Sequence, residues 1–204
     1  MYMDLFPSDY PDDLKRYMSK LKVVDNAIDI LLDGLEERGI LDDTVIVLFG
    51  DHYPYAIDTD TLNLEMPYDV GSDANADQVP LIIYNSEIEA KEFDSYTSYI
   101  DLVPTIANLF NLSFDSRLYM GSDVLSDDVQ DLVIFMDGSW KNDVAYYNAS
   151  ANSITYYTES MYSDEEILAI NTEVRLKLEM SSLAIRRNYF SYLENKLNSY
   201  TTSE

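Results

Sequence analysis

Cysteine is absent from the 204 residues. That excludes disulfides, thiolate zinc sites and a cysteine nucleophile, and it fits either a reducing compartment or a bacterial cell surface. Basic residues are scarce: 13 Lys and Arg stand against 38 Asp and Glu, a formal charge of -25. A field of that sign repels phosphate backbones and anionic headgroups, which argues against nucleic acid as a partner. With so few cations, an enzyme acting on phosphate esters from this chain would have to recruit a metal ion. There is one His and one Trp. No apolar run approaches the roughly 20 residues needed to cross a bilayer. Met1 is followed by Tyr2, Asp4 and Asp9 rather than by a basic segment and an apolar stretch, so the chain as given reads as soluble and unsignalled. What is present is 47% hydrophobic residues, enough for one substantial core.

Leu14, Tyr17, Met18, Leu21, Val24, Ile28, Leu31, Leu32 and Leu35 recur at helical spacing, with Pro11, Asp12 and Asp13 suited to the start and Arg38 and Gly39 to the end. The run from Thr44 to Phe49 is β-branched and apolar throughout and predicts a strand buried on both faces. A helix feeding such a strand implies α/β architecture. Residues 53–78, rich in Asp and Asn and interrupted by Pro54, Pro67 and Gly71, read as one long loop. Pro80 to Tyr84 predicts a short strand, and Asp101 to Phe110 a short helix that tolerates Pro104 in its first turn. Three short strands follow, at Leu132 to Met136, Val144 to Tyr147 and Ile154 to Tyr157, as an antiparallel meander. Ser163 and Glu166 form a capping box opening one long C-terminal helix whose stripe runs from Ile167 to Leu197.

The chemistry concentrates at Val45-Ile46-Val47-Leu48-Phe49-Gly50-Asp51-His52-Tyr53, where the lone His stands beside an Asp directly after the apolar strand. Ligand sites in open α/β sheets lie at the carboxyl ends of strands. Adjacent side chains of an extended strand point to opposite faces, so Asp51 and His52 can share one ion only if the backbone bends, and Gly50 supplies that freedom. A carboxylate and an imidazole suit manganese, magnesium or zinc, but two ligands do not close a site. The bland alternative makes Asp51 a turn cap and His52 a satisfied, partly buried residue.

The segment Asp43 to Tyr53 resembles the stretch by which sulfatases and lipoteichoic acid synthases present an Asp-His metal pair after a core strand. The order continues downstream. Val79-Pro80-Leu81-Ile82-Ile83-Tyr84 resembles the following family strand, Asp101-Leu102-Val103-Pro104-Thr105 the D-x-x-P-T helix, and Tyr119-Met120-Gly121-Ser122-Asp123-Val124-Leu125 the Y-M-G-x-D-L segment of the lipoteichoic acid synthase branch. The resemblance implies the C-terminal part of an alkaline-phosphatase-like, sulfatase-like α/β catalytic domain. Residues 1–130 would belong to the α/β core, and 131–204 would form a meander and terminal helix packed on the same domain. It implies a metal-dependent transfer of phosphoglycerol from a lipid to a glycerol-phosphate polymer or glycan. Mn2+ or Mg2+ would be the cofactor, or else Zn2+, with Asp51 and His52 as two of its ligands.

In the family a Thr nucleophile lies upstream of the segment present here, so no catalytic residue is assigned within the chain and the chain alone is expected to be inactive. The parent would be anchored in the bacterial cytoplasmic membrane through parts absent here, with this region on the extracellular face. A sulfatase, phosphatase or phosphoethanolamine transferase shares the same Asp-His pair. A rival of another class is a non-catalytic cell-surface module binding through the Tyr-rich meander. Exposed strand edges and apolar surface predict self-association. Asp58-Thr59-Asp60 with Asn63 and Glu65 reads as a solvated loop rather than a calcium loop, because Leu62 stands where a ligand is wanted. Trp140 is expected to be partly exposed and to pack the meander on the α/β core, and Asp77 and Asp101 are candidates to support the imidazole from behind.

Overall fold

A computed structural model describes residues 2–126 and 131–201. Its contacts divide into two compact units, Met1–Glu92 and Phe93–Glu204.

In the first unit, α1 (Asp12–Glu36) starts at Pro11 with two acids in its first turn, where negative charge meets the helix dipole. It ends where Gly39 turns into the left-handed region at φ 65°, letting the Ile40 amide reach back to the Leu35 carbonyl. Leu14 and Ser19 are its buried residues, while Leu21, Val24 and Leu31 of the expected apolar stripe are exposed. Strand β1 (Ile46–Phe49) pairs antiparallel with β2 (Leu81–Tyr84), from Ile46 opposite Tyr84 to Phe49 opposite Leu81. Asn85 fixes that register from outside: its amide donates to the carbonyls of Asp42 and Thr44, both at 2.9 Å.

The expected burial of β1 on both faces is not met. These strands form a two-stranded sheet, and no residue of either is fully buried. Apolar character on both faces needs cover on both faces, which a single partner strand cannot supply. The connection between them is not a structureless loop either. It holds α2 (Thr59–Leu62) and a 3-10 turn at Asn75–Asp77, and it buries Ile57 and Val70. Asp58 caps α2, accepting from the amide and hydroxyl of Thr61 at 2.8 Å each, which occupies the carboxylate of the acidic triplet.

In the second unit, a 3-10 turn at Tyr99–Asp101 leads into α3 (Leu102–Leu109), with Pro104 buried in the first turn as its missing N–H permits. The meander has four strands rather than three: β3 (Val133–Ile134), β4 (Trp140–Lys141), β5 (Ala145–Asn148) and β6 (Ser153–Tyr156), each antiparallel to the next. The strand missed from sequence, β4, is two residues long, too short for an alternation pattern to register. The Asp137–Ser139 turn preceding it is held by Gly138 at φ 89°.

The terminal stripe is divided. Helix α4 (Asp164–Arg186) opens on the Ser163–Glu166 capping box, and Asn188 at φ 50° separates it from α5 (Tyr189–Thr201). The core of this unit joins Leu132, Trp140 and Ala145 of the meander to Val174 of α4, ringed by Tyr147, Ile154, Tyr156, Tyr162, Ile170 and Leu178. Trp140 is fully buried, correcting the expected partial exposure. Its indole N–H donates to Asn171 Oδ1 at 2.8 Å and its ring stacks on Tyr147, so its packing partner is α4.

Candidate metal centre

Asp51 and His52 form a bend immediately after β1, at the end toward which the strand runs. Gly50 matters through its lack of a side chain rather than through an unusual φ. A Cβ there would stand 2.9 Å from Val79 Cβ, and the Gly50 amide donates to the Pro80 carbonyl at 3.2 Å. The strand end is thus drawn tightly against the start of β2, and the chain leaves it by bending at Asp51.

The bend turns the two side chains toward one another. His52 Nε2 lies 3.6 Å from Asp51 Oδ1, and both side chains are open to solvent, 55% and 88% exposed. The other imidazole nitrogen is engaged: Nδ1 is 2.7 Å from the Tyr53 carbonyl, an acceptor only, so Nδ1 carries the proton and donates. That leaves the Nε2 lone pair on the side facing the carboxylate. Tyr55 packs its ring 4.9 Å from the imidazole, and Tyr53 meets Tyr55 edge to face. The reading of Asp51 as a turn cap and His52 as partly buried does not match this geometry.

A ligating histidine ordinarily donates its second N–H to an oxygen, which fixes tautomer and ring orientation. The Tyr53 carbonyl performs that task here, so neither Asp77 nor Asp101 is needed for it. Asp77 is exposed at the end of its 3-10 turn. Asp101 is buried and its carboxylate is occupied elsewhere: Oδ2 accepts from the Ser98 amide and Oδ1 from the Ser122 amide, both at 2.8 Å. Thr105 completes the clamp, donating its hydroxyl to the Asp101 carbonyl at 2.6 Å and accepting from the Val124 amide at 3.0 Å. Asp101 and Thr105 of the D-x-x-P-T helix therefore hold the Gly121–Val124 segment. Gly121 sits so close that a Cβ would overlap the Ile100 carbonyl. The signal for this clamp was legible in part, since Ser98 and Asp101 have capping-box spacing.

Among the described residues, no group of three or more His, Cys, Asp and Glu side chains is placed to hold a metal ion. The facing pair contributes two donors of the types that bind a borderline or moderately hard cation, and the local geometry fits such an ion without enclosing it.

The family model described as Sulfatase matches residues 3–112, more than half of the chain, and the chain belongs to that family. Its curated relatives carry a narrower name. Lipoteichoic acid synthase 2 of Bacillus subtilis (strain 168) is 25% identical over 206 aligned residues, covering 94% of this chain and 30% of the relative. Lipoteichoic acid synthase of Staphylococcus saprophyticus is 29% identical over 139 residues, covering 65% and 21%. That of Staphylococcus aureus (strain USA300) is 21% identical over 183 residues, covering 88% and 28%. The chain thus spans under a third of the length of these curated relatives.

Proposed function

We propose that this chain carries part of the metal site of a sulfatase-like phosphotransferase whose substrate is a lipid-linked phosphoglycerol. The observation that carries the reading is the orientation of His52. With Nδ1–H committed to the Tyr53 carbonyl, Nε2 and the Asp51 carboxylate face each other across 3.6 Å in the open. Asp51 and His52 would hold Mn2+ or Mg2+, with Zn2+ as the other candidate. When bound, the ion lowers the pKa of a coordinated nucleophile and stabilises charge on the equatorial phosphate oxygens. The remaining ligands and the Thr nucleophile would come from sequence beyond these 204 residues, and the chain alone would be inactive. Tyr53 keeps the imidazole in the tautomer that presents Nε2, and Asp51 supplies the negative charge that a cation requires on this strand end. Glycerol-phosphate polymer synthesis at the outer face of the bacterial cytoplasmic membrane is the setting that the relatives' names and the resemblance support. Among the described residues, no helix is long and apolar enough to cross a membrane.

The lone histidine makes the test direct. In NMR spectra of the chain, sub-stoichiometric Mn2+ should broaden the single pair of imidazole ring resonances first, and Asp51→Ala should weaken that effect several-fold. In the longer protein, Asp51→Ala or His52→Ala should abolish turnover. Sharp imidazole signals at millimolar Mn2+, or full turnover in either variant, would remove the proposal.

In the meander, Tyr147 and Tyr156 pack around Trp140 and Tyr162, whereas Tyr157 is exposed.

A further inference from the structure

Helix α4 is apolar on two opposite faces. Successive residues are displaced by about 100° around a helix, so Ile170, Val174 and Leu178 share one face, and this is the face packed on the meander. Leu168, Leu176, Met180 and Leu183 project from the other side, where they are 66%, 47%, 64% and 40% exposed. Leu168 and Leu176, with Ala169 and Thr172, line a shallow apolar groove along the first half of this face, and Met180 and Leu183 continue the stripe beyond it. A helix apolar all round is normally covered all round.

The charges beside this stripe identify what covers it. The whole chain carries a formal charge of -25, yet residues 164–187 are nearly neutral at -1, with Asp164, Glu165, Glu166, Glu173 and Glu179 against Arg175, Lys177, Arg186 and Arg187. They are also ordered. The acids Asp164, Glu165 and Glu166 lie in the first turn, the bases Arg186 and Arg187 lie at the end, and the mixed pairs sit between.

We infer that two copies of this chain associate through α4, antiparallel, about a two-fold axis at Leu176. In that arrangement Leu176 meets its own symmetry mate, Leu168 meets Leu183, and Thr172 meets Met180. Glu165 then faces Arg186 and Arg187 of the other copy. On one flank Glu173 faces Lys177, and on the other Arg175 faces Glu179. The same side chains already pair within one helix, Lys177 with Glu173 at 3.2 Å and Arg175 with Glu179 at 3.3 Å, so the cross-pairing extends existing geometry. A parallel pair would instead bring Glu165 and Glu166 against their own copies and the two Arg pairs against theirs. Like charges so opposed are destabilising. The antiparallel contact is isologous, as closed dimers require. Because this nearly neutral helix belongs to a strongly anionic chain, it is also where two copies repel least.

Sedimentation equilibrium of the full chain should give a species of twice the 23.4 kDa monomer mass at tens of micromolar. Leu176→Glu, which sets two carboxylates on the axis, should raise the dissociation constant at least a hundredfold with an unchanged far-UV circular dichroism spectrum. Arg187→Glu should weaken association and Glu165→Arg in the same chain should restore it. The absence of native cysteine permits a second readout that does not depend on affinity. Leu176→Cys should form an oxidative cross-link between copies, whereas Leu168→Cys alone should not, because the two Leu168 positions lie far apart in the antiparallel pair. A monomer at all concentrations, an unaffected Leu176→Glu dimer, or efficient cross-linking through Leu168→Cys would each overturn the inference. The first of these outcomes would assign the groove to a different polypeptide.

Discussion

Asp101 shows how much a single side chain can fix. Its two carboxylate oxygens each receive one backbone amide, from Ser98 and from Ser122, so it joins two segments that are 21 residues apart along the chain. Asp101→Asn keeps the shape but turns an NH2 toward one of these amides, leaving a buried donor unmet. A loss of about 1–3 kcal/mol in urea unfolding is expected. Gly121→Ala tests the same clamp sterically: its Cβ would meet the rigid Ile100 backbone rather than a movable side-chain end, and a cost of about 2 kcal/mol or more follows from overpacking. If Gly121→Ala were neutral, the tight approach of the two segments would be wrong. At this scale the sequence made the Asp51–His52 pair legible, because an apolar run ending on the only histidine is visible in one dimension. The partners that Asp101 holds are backbone amides, which no sequence pattern announces because an amide is the same group at every position. The Tyr53 carbonyl that orients His52 escaped for the same reason.

Elements follow the sequence where local chemistry decides and depart from it where packing does. The capping box of α4 is local: Ser163 accepts from the Glu166 amide while the Glu166 carboxylate accepts from the Ser163 amide and hydroxyl. Ser163→Ala should therefore cost about 1 kcal/mol in thermal or urea unfolding. Those bonds hold the Glu166 carboxyl below its ordinary value of 4.5, and Arg117 draws Asp115 down from 3.8 to about 2. A depressed carboxylate pKa stabilises the fold above its unfolded value, and the contribution is lost as pH falls through the folded one. The Asp115 contribution should accordingly be complete above about pH 4 and disappear between there and about pH 2. Asp115→Asn should flatten that part of the acid-unfolding profile without changing its shape near neutrality. The break between α4 and α5 was less legible. The apolar spacing continues through it, and only Asn188, one of the few residue types that accept φ near 50°, marks the place. Strand β4 was likewise invisible, since its two residues are defined by their partners on β3 and β5 rather than by a pattern of their own.

At the scale of the molecule, apolar content and burial part company. The Phe93–Glu204 unit has a recognisable centre, where Trp140, Ala145 and Val174 are almost wholly shielded and the aromatic rings of Tyr147 and Tyr162 close over the indole. The Met1–Glu92 unit contains the more apolar strands, yet β1 and β2 form an isolated pair with Phe49 and Ile82 about half exposed. An isolated two-stranded sheet is marginally stable in water, since it has few neighbours to bury against. Opening of β1 and β2 should therefore require much less free energy than opening of the meander and α4, even though the residues of β1 and β2 are individually stronger strand formers. Native-state hydrogen exchange checks this. Amides of Ile46, Leu48 and Ile82, which lie at hydrogen-bonded ladder positions, should exchange at least tenfold faster than those of Tyr147, Thr155 and Val174 under conditions where exchange reports opening equilibria. The reverse order, with β1 and β2 the more protected pair, would mean that strand propensity outweighs burial in this chain. Saturating Mn2+ adds a discriminating arm: a ligand bound at Asp51 and His52 stabilises the state that presents both, so protection should rise at Leu48 and Gly50 and not in the meander.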